Sequence, residues 1–350
     1  MYSSDDVAFM QRAFELAALG TGKVSPNPMV GCVIVENGEI IGEGWHNEYG
    51  KAHAEVNAVK NVSPQNTHRL PNSTFYVTLE PCSHFGKTPP CADLLVSISP
   101  KKVIIANTDP FPLVNGKGIE KLQKANIEVI TGLLAKKGEW LNRRFFTMIR
   151  KQRPYIILKW AQTINGFIAR ENYDSKWISD WFSRKIVHKW RGEEDAILVG
   201  TNTAQFDNPS LTTRDWLGKN PLRAFIDKHL RLPNNSNLLK VEESDNCQTI
   251  CYNLLKNESY QNLHYVKIQQ DNFIQSILND LYQRKIQSII VEGGAKLIHS
   301  FIQLDLWDEA RVFVSPNTFQ NGIIAPQLHN ASLYSSEQLL NDQLNIFIHL

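Results

Sequence analysis

His53-Ala54-Glu55, Pro81-Cys82 and Cys91 constrain the fold of this chain more than any other feature, because they are useful only if three separated segments meet at one point. One histidine nitrogen and two cysteine sulfurs make a zinc-type ligand set that leaves a fourth position to water, whose pKa falls toward ~7 on the metal. Glu55, just past the histidine, is near enough to shuttle a proton without joining the ligands. Hydrolytic deamination needs this equipment, with His53, Cys82 and Cys91 as zinc ligands and Glu55 as the catalytic acid and base. Such sites commonly space their cysteines closely, whereas here the insert 83–90 separates Cys82 from Cys91. The ligand ring closes if that insert loops out and Cys91 opens a helix. Pro81-Cys82 follows the strand-like run 74–79, and Cys91 precedes the apolar Leu94-Leu95-Val96.

The surrounding pattern supplies a scaffold. Asp5 or Asp6 can cap a helix running to about Leu19, which Gly20 and Gly22 end. Two apolar runs, 29–35 and 39–42, flank Asn37-Gly38, a strong hairpin signal. Helices follow at 53–62, 91–98 and 116–125, alternating with strands at 74–79, 102–106 and 127–130, which predicts a mixed sheet with helices on its faces. A helix at 133–150 ends in basic residues before Pro154 and reads as a connector. Alternation then restarts, with strands at 155–160, 196–199, 223–227, 249–252, 265–268 and 288–291 and helices near 180–190, 272–284 and 295–304. The polar stretches 214–220 and 234–246 read as surface loops. With 350 residues, two α/β domains are expected, divided as 1–147 and 148–350.

Composition removes several classes of function. A net charge of +2 gives no basic face for nucleic acid. No run of about 18 apolar residues and no amino-terminal signal pattern occurs, so no membrane partner is expected. Five cysteines, two of them assigned to zinc, do not form a disulfide framework, and Cys32, Cys247 and Cys251 read as free thiols in the cytoplasm.

Longer runs make the reading specific. Pro26-Asn27-Pro28-Met29-Val30-Gly31-Cys32-Val33-Ile34-Val35, Gly44-Trp45-His46, Gly50-Lys51-Ala52-His53-Ala54-Glu55 and the segment from Thr78 through Pro81-Cys82 to Pro89-Pro90-Cys91 occupy the first half. The second half carries Leu158-Lys159-Trp160-Ala161-Gln162-Thr163-Ile164-Asn165-Gly166, Ser175-Lys176-Trp177-Ile178, Gly200-Thr201-Asn202-Thr203, Asp207-Asn208-Pro209-Ser210-Leu211-Thr212 and Val291-Glu292-Gly293-Gly294. Together these resemble the bifunctional deaminase/reductase family of riboflavin biosynthesis over essentially the whole chain, and the long insert between the cysteines is itself a mark of that family. The resemblance implies a cytidine-deaminase-like three-layer α/β/α domain followed by a dihydrofolate-reductase-like α/β domain. It implies one Zn2+ per chain, NADPH, and small-molecule phosphoribosylaminopyrimidine substrates, and it leaves the homo-oligomeric state open.

By the same resemblance, Asn27 meets a sugar or ring, Lys87 a phosphate, and His46 lies beside the zinc site. Ala161, Trp177, Thr203, Asp207 and Gly294 fall on the cofactor side of the reductase. Ser175, Arg191, Leu211, Arg214 and Glu292 fall on the substrate side, where Arg191 and Arg214 suit the phosphate because a guanidinium pairs two oxygens at once. Thr163 and Asn165 stand where the family usually has Ser and Asp, Lys228 replaces a small hydroxyl residue near the cofactor, and Ser315-Pro316-Asn317-Thr318 replaces a more basic segment. The alternative carried forward is a working deaminase joined to an inactive or regulatory reductase-like domain. A nucleic-acid base deaminase is disfavoured by the charge and by the insert.

Overall fold

Along Gly31–Glu36 (β1) the buried residues split by parity, Cys32 and Ile34 joining one apolar cluster while Val33 and Val35 join another. The same division recurs at Phe75 and Val77 against Tyr76, and at Val103 and Ile105 against Ile104 and Ala106. A strand sends successive side chains to opposite faces, so both faces of this sheet are buried and a three-layer unit results. The computed structural model describes residues 2–85, 89–112, 114–172, 174, 178–240 and 247–350. It divides into two compact units, Met1–Lys151 and Gln152–Leu350.

In the first unit α1 (Ser4–Ala18) lies on one face through Met10, Ala13 and Phe14. The cap of α1 is Ser3 rather than Asp5 or Asp6: the Ser3 hydroxyl accepts the Asp6 N–H and the Asp6 carboxylate reaches back to the Ser3 N–H, satisfying two end donors at once. Asn37 and Gly38, both at positive φ, turn β1 into β2 (Glu39–Trp45) as the hairpin signal requires. The opposite face is covered by α2 (Ala54–Lys60), α3 (Cys91–Ile98) and α4 (Lys117–Lys124), which follow or precede β3 (Thr74–Leu79), β4 (Lys102–Asn107) and β5 (Glu128–Thr131). A 3-10 helix, Pro64–Asn72, leads into β3. The strand order is β2-β1-β3-β4-β5, antiparallel through the hairpin and parallel beyond β3. The single helix expected over 133–150 is two, α5 (Ala135–Leu141) and α6 (Arg143–Lys151), with a corner at Asn142. α6 continues through the expected boundary at 147 and 148 as far as Lys151.

The second unit is built on a ten-stranded sheet. In chain order its elements are β6 (Tyr155–Thr163), β7 (Phe167–Ala169), α7 (Trp181–Glu193), β8 (Ala196–Val199), α8 (Thr201–Phe206), β9 (Leu222–Ile226), β10 (Thr249–Asn253), β11 (Glu258–Tyr260) and β12 (Leu263–Lys267). They continue with α9 (Phe273–Gln283), β13 (Ser288–Glu292), α10 (Ala295–Gln303), β14 (Glu309–Ser315), β15 (Ile323–Ile324), β16 (Ala331–Leu339) and β17 (Asp342–His349). The sheet order is β11-β12-β10-β9-β8-β13-β6-β14-β17-β16, with β7 and β15 paired separately. α9 and α10 bury Ile277, Leu281, Ile298 and Phe301 on one face, and α7 buries Val187 and Trp190 on the other. The strands from β10 to β14 are parallel, so their carboxyl ends open on one side and make a crevice.

Candidate active sites

The first site forms where two helices begin. His53 is the residue before α2 and Cys91 the first of α3, so a helix opens at Cys91 as expected, while residues 86–88 of the insert lie outside the described residues. Cys82 lies three residues beyond β3. Nδ1 of His53 lies 3.5 Å from the Cys82 sulfur and 3.3 Å from that of Cys91. A tetrahedral zinc with Zn–S about 2.3 Å and Zn–N about 2.1 Å would separate sulfur from nitrogen by about 3.6 Å, so the donor set fits the ion. All three ligand atoms lie within 4.8 Å of one another. Hydrogen bonds from the Cys91 side chain and from His53 pull the Cys82 thiol well below its usual range, which readies a thiolate for metal.

Glu55, the second residue of α2, is buried, and burial first, then the neighbouring Cys82 charge, raises its carboxyl above the ordinary range. His46 is also buried and its ring centroid stands 5.2 Å from that of His53. Its Nδ1 is 3.1 Å from the Ala52 carbonyl and its Nε2 3.1 Å from Asn27 Nδ2, which fixes the neutral tautomer with the proton on Nδ1. The Asn27 amide oxygen has no partner among the described residues. Lys87, expected here, lies outside the described residues.

Sequence reasoning missed two residues that build this site. Glu80, buried just before Pro81-Cys82, accepts the N–H groups of Asp109, Gly116, Gly118 and Ile119 at 3.2, 2.9, 2.9 and 3.3 Å. One carboxylate thereby ties the end of β3 to the loop that starts α4. An acid at the end of an apolar strand was the available signal. The second is Asn142, whose polar side chain breaks the helical run 133–150 and is only 3% exposed.

The second site is a cavity of about 1280 Å³ in the unit Gln152–Leu350, lined at the carboxyl ends of β9, β8, β13 and β6. It gathers Ala161, Thr203, Asp207, Leu211, Arg191, Arg214, Glu292 and Gly294 from the expected set. Ser175 and Trp177 lie outside the described residues. Gly293 and Gly294 have φ of 74° and 70°, and a Cβ on Gly293 would sit 2.9 Å from the Thr203 methyl, so the turn into α10 must be bare backbone. Lys228, Arg231 and Lys296 line the same cavity, and none has a carboxylate partner among the described residues. Lys228 Nζ rests 4.6 Å from the centre of the Phe273 ring. An elongated crevice with a glycine turn at a helix start and unpaired cations fits a dinucleotide bearing phosphates.

Arg191 is committed within this wall. Its Nε and Nη2 donate to Glu292 at 3.3 and 3.0 Å and its Nη1 to the Thr212 carbonyl at 3.3 Å. Lys159 Nζ stands 3.9 Å from the same carboxylate. Burial would raise Glu292, but Arg191 and Lys159 outweigh it and hold the carboxyl at about 2, while burial lowers the Lys159 ammonium. Lys159 was legible only as a charge inside an apolar strand. Arg214 is exposed, at 3.8 Å from Asp215.

The departures at Thr163 and Asn165 have a structural reading. Asn165 Nδ2 donates to the Phe319 carbonyl at 2.7 Å, and its Oδ1 accepts the Thr163 hydroxyl at 2.8 Å. The amide thus latches the β6–β7 turn to the segment before β15, a donor role that an aspartate would not fill. Asn317 donates to the Ile178 carbonyl in the same region.

Comparison with known proteins matches residues 3–107 to the cytidine and deoxycytidylate deaminase zinc-binding region and residues 154–325 to the RibD C-terminal domain. The riboflavin biosynthesis protein RibD of Aquifex aeolicus is 40% identical over 336 residues, covering 95% of this chain and 92% of that protein. The chain belongs to the RibD family. RibD of Escherichia coli is 34% identical, with 89% of this chain and 88% of that protein covered. A solved diaminohydroxyphosphoribosylaminopyrimidine deaminase/5-amino-6-(5-phosphoribosylamino)uracil reductase from Thermotoga maritima superposes with a TM-score of 0.89 at 36% identity, over 99% of both chains. Acinetobacter baumannii RibD gives 0.87 at 32% identity over 98% of both. The RibD family thus accounts for both halves, and the fold class is a cytidine-deaminase-like α/β domain followed by a dihydrofolate-reductase-like one.

Proposed function

We propose that this chain carries out two successive steps of riboflavin biosynthesis. The first is hydrolytic deamination of 2,5-diamino-6-(5-phosphoribosylamino)pyrimidin-4(3H)-one. The second is reduction of the ribosyl group of 5-amino-6-(5-phosphoribosylamino)uracil to ribityl, with NADPH as reductant. The convergence of His53 Nδ1 with the sulfurs of Cys82 and Cys91, beside a buried Glu55, carries the first assignment.

His53, Cys82 and Cys91 would hold one zinc, which would lower the pKa of a water toward neutral when bound. Glu55 would carry a first proton from the attacking water to the ring nitrogen and a second, from the hydroxyl so added, to the departing amine, and its raised proton affinity suits both transfers. Asn27, turned by its bond to His46, offers its amide oxygen to the substrate ring or sugar. Lys87 is assigned to the substrate phosphate.

In the reductase, NADPH supplies the hydride. Ala161, Trp177, Thr203, Asp207 and Gly294 are assigned to the cofactor, whose phosphates the backbone amides at the α10 start would hold. Neighbouring strands are about 4.8 Å apart, so β9 stands roughly 14 Å from β6 across β8 and β13. That span would suit an extended dinucleotide, for which Ala161 would line the cavity at β6 and Lys228 and Arg231 would hold a 2′-phosphate. Those unpaired cations support NADPH over NADH. On the substrate side, Arg214 takes the phosphate while Arg191 shapes the wall with Glu292 near Leu211, and Ser175 is assigned to the substrate by the family resemblance alone. None of the five cysteines is joined in a disulfide, which accords with a cytoplasmic setting.

Zinc analysis of the purified chain, together with NADPH oxidation on the deaminated intermediate, tests both halves. Zinc-free protein that still deaminates would remove the first assignment. Deamination without NADPH oxidation would leave the inactive-reductase alternative standing.

A further inference from the structure

We infer that Asn142, at the corner between α5 and α6, is a positioning residue for deamination that sets the loop carrying Asn27. The inference rests on the deaminase reading above and adds a residue outside the matched zinc-binding region 3–107.

The loop 26–30 leads into β1 at Gly31, and Met29 precedes the strand's ladder. A single side chain completes its backbone pairing. Asn142 Oδ1 accepts the Met29 N–H at 2.8 Å, and Asn142 Nδ2 donates to the Met29 carbonyl at 2.8 Å. An amide side chain here does the work of the peptide group of a missing neighbouring strand.

The corner itself is fixed from both directions. The Asn142 N–H bonds to carbonyls of α5, and its own carbonyl accepts the Phe146 N–H of α6 at 2.9 Å. Phe145 and Phe146 pack on Leu79, with Val30 against the same cluster, so α6 braces the end of β3 as well as the loop. A chain of contacts results: Asn142 holds Met29, two residues away Asn27 bonds His46, and His46 stacks edge-on against the zinc-type ligand His53. Shifting Met29 therefore moves the amide oxygen that Asn27 presents. A misplacement of about 1 Å remote from the reacting atoms can cost 10²-fold.

A double-mutant cycle with the full-length zinc-loaded enzyme tests this, using Asn27→Ala, Asn142→Ala and the pair. Asn142→Ala should raise the deaminase KM about tenfold with kcat changed much less, while zinc content and reductase activity stay at wild-type levels. Adding Asn27→Ala to it should raise KM by less than about twofold more, because both act through one contact. If Asn142→Ala is insoluble, Asn142→Asp replaces it, keeping the acceptor for the Met29 N–H and losing the donor to the Met29 carbonyl. Additive losses, or a fall in kcat alone, would mean that Asn142 serves only stability, and the inference would be wrong. A wild-type enzyme with no deaminase activity would instead remove the functional reading itself.

Discussion

Arg191 and Glu292 meet as a two-pronged pair in the wall of the reductase cavity, Nε to Oε1 at 3.3 Å and Nη2 to Oε2 at 3.0 Å. Breaking a buried pair strands the remaining charge, at a cost of about 3–5 kcal/mol. Arg191→Ala should therefore destabilise the reductase unit, and a thermal melt with NADPH absent would register it as a lowered transition. Glu292 is depressed to about 2 from an ordinary carboxyl, so the stability it contributes is present above roughly pH 4.5 and is lost as pH falls toward 2. Glu292→Gln should flatten that acid limb of the stability profile.

Arg214 should behave differently. Being exposed and only loosely placed near Asp215, it is spared from the fold and available to a ligand. Arg214→Ala should raise KM for the phosphorylated substrate by about tenfold to a hundredfold, since a charge-assisted hydrogen bond contributes roughly 1.5 to 3 kcal/mol. The dephosphorylated substrate should be nearly indifferent, because a handle remote from hydride transfer gives mostly uniform binding. Equal losses on both substrates would reassign the residue.

At the deaminase site two substitutions should separate metal from proton transfer. Cys82→Ala should lose zinc by elemental analysis. Glu55→Gln should keep it and lose about 10²- to 10⁴-fold in deamination, with reduction of the supplied intermediate nearly unchanged. Parallel losses in both reactions would contradict two separate centres.

Lys228→Ala should weaken NADP+ binding about tenfold in calorimetry and leave the weaker NAD+ affinity nearly unchanged, if its ammonium reads the 2′-phosphate. An equal effect on both nucleotides would place Lys228 elsewhere on the cofactor.

The unit Gln152–Leu350 has its own sheet and apolar clusters, so residues 152–350 alone should unfold cooperatively and bind NADPH. A molten fragment would mean that it depends on the preceding 151 residues.

What was legible in the sequence follows burial and chemical identity. The convergence of His53, Cys82 and Cys91 could be read because histidine and cysteine announce metal chemistry wherever they fall. The first sheet could be read because its strands are apolar and its turn is Asn-Gly. The strands after Leu304 could not. β14 carries Glu309 and Arg311, buried with Glu194 in an ion cluster, with Arg311 Nε 2.6 Å from Glu309 and Nη2 3.2 Å from Glu194. Those charges hide a strand that lies in mid-sheet. β16 is an outer strand with mostly exposed residues, so it has no apolar alternation to find. α8 has only six residues, too few for a helical period to show. Asn142 looked like one polar residue within a helix because its partner, Met29, is 113 positions away.

The grip of Glu80 on four backbone amides has a kinetic consequence. Asp109 and Gly116 bond one oxygen of the Glu80 carboxylate and Gly118 and Ile119 the other, so all four N–H groups depend on one anchoring side chain. In hydrogen exchange these amides should open together, at one rate, as a cooperative patch. The segment that leaves β4 and starts α4 would then move as a single latch beside the end of β3, and its opening rate would set how often solvent reaches the carboxylate behind Pro81-Cys82.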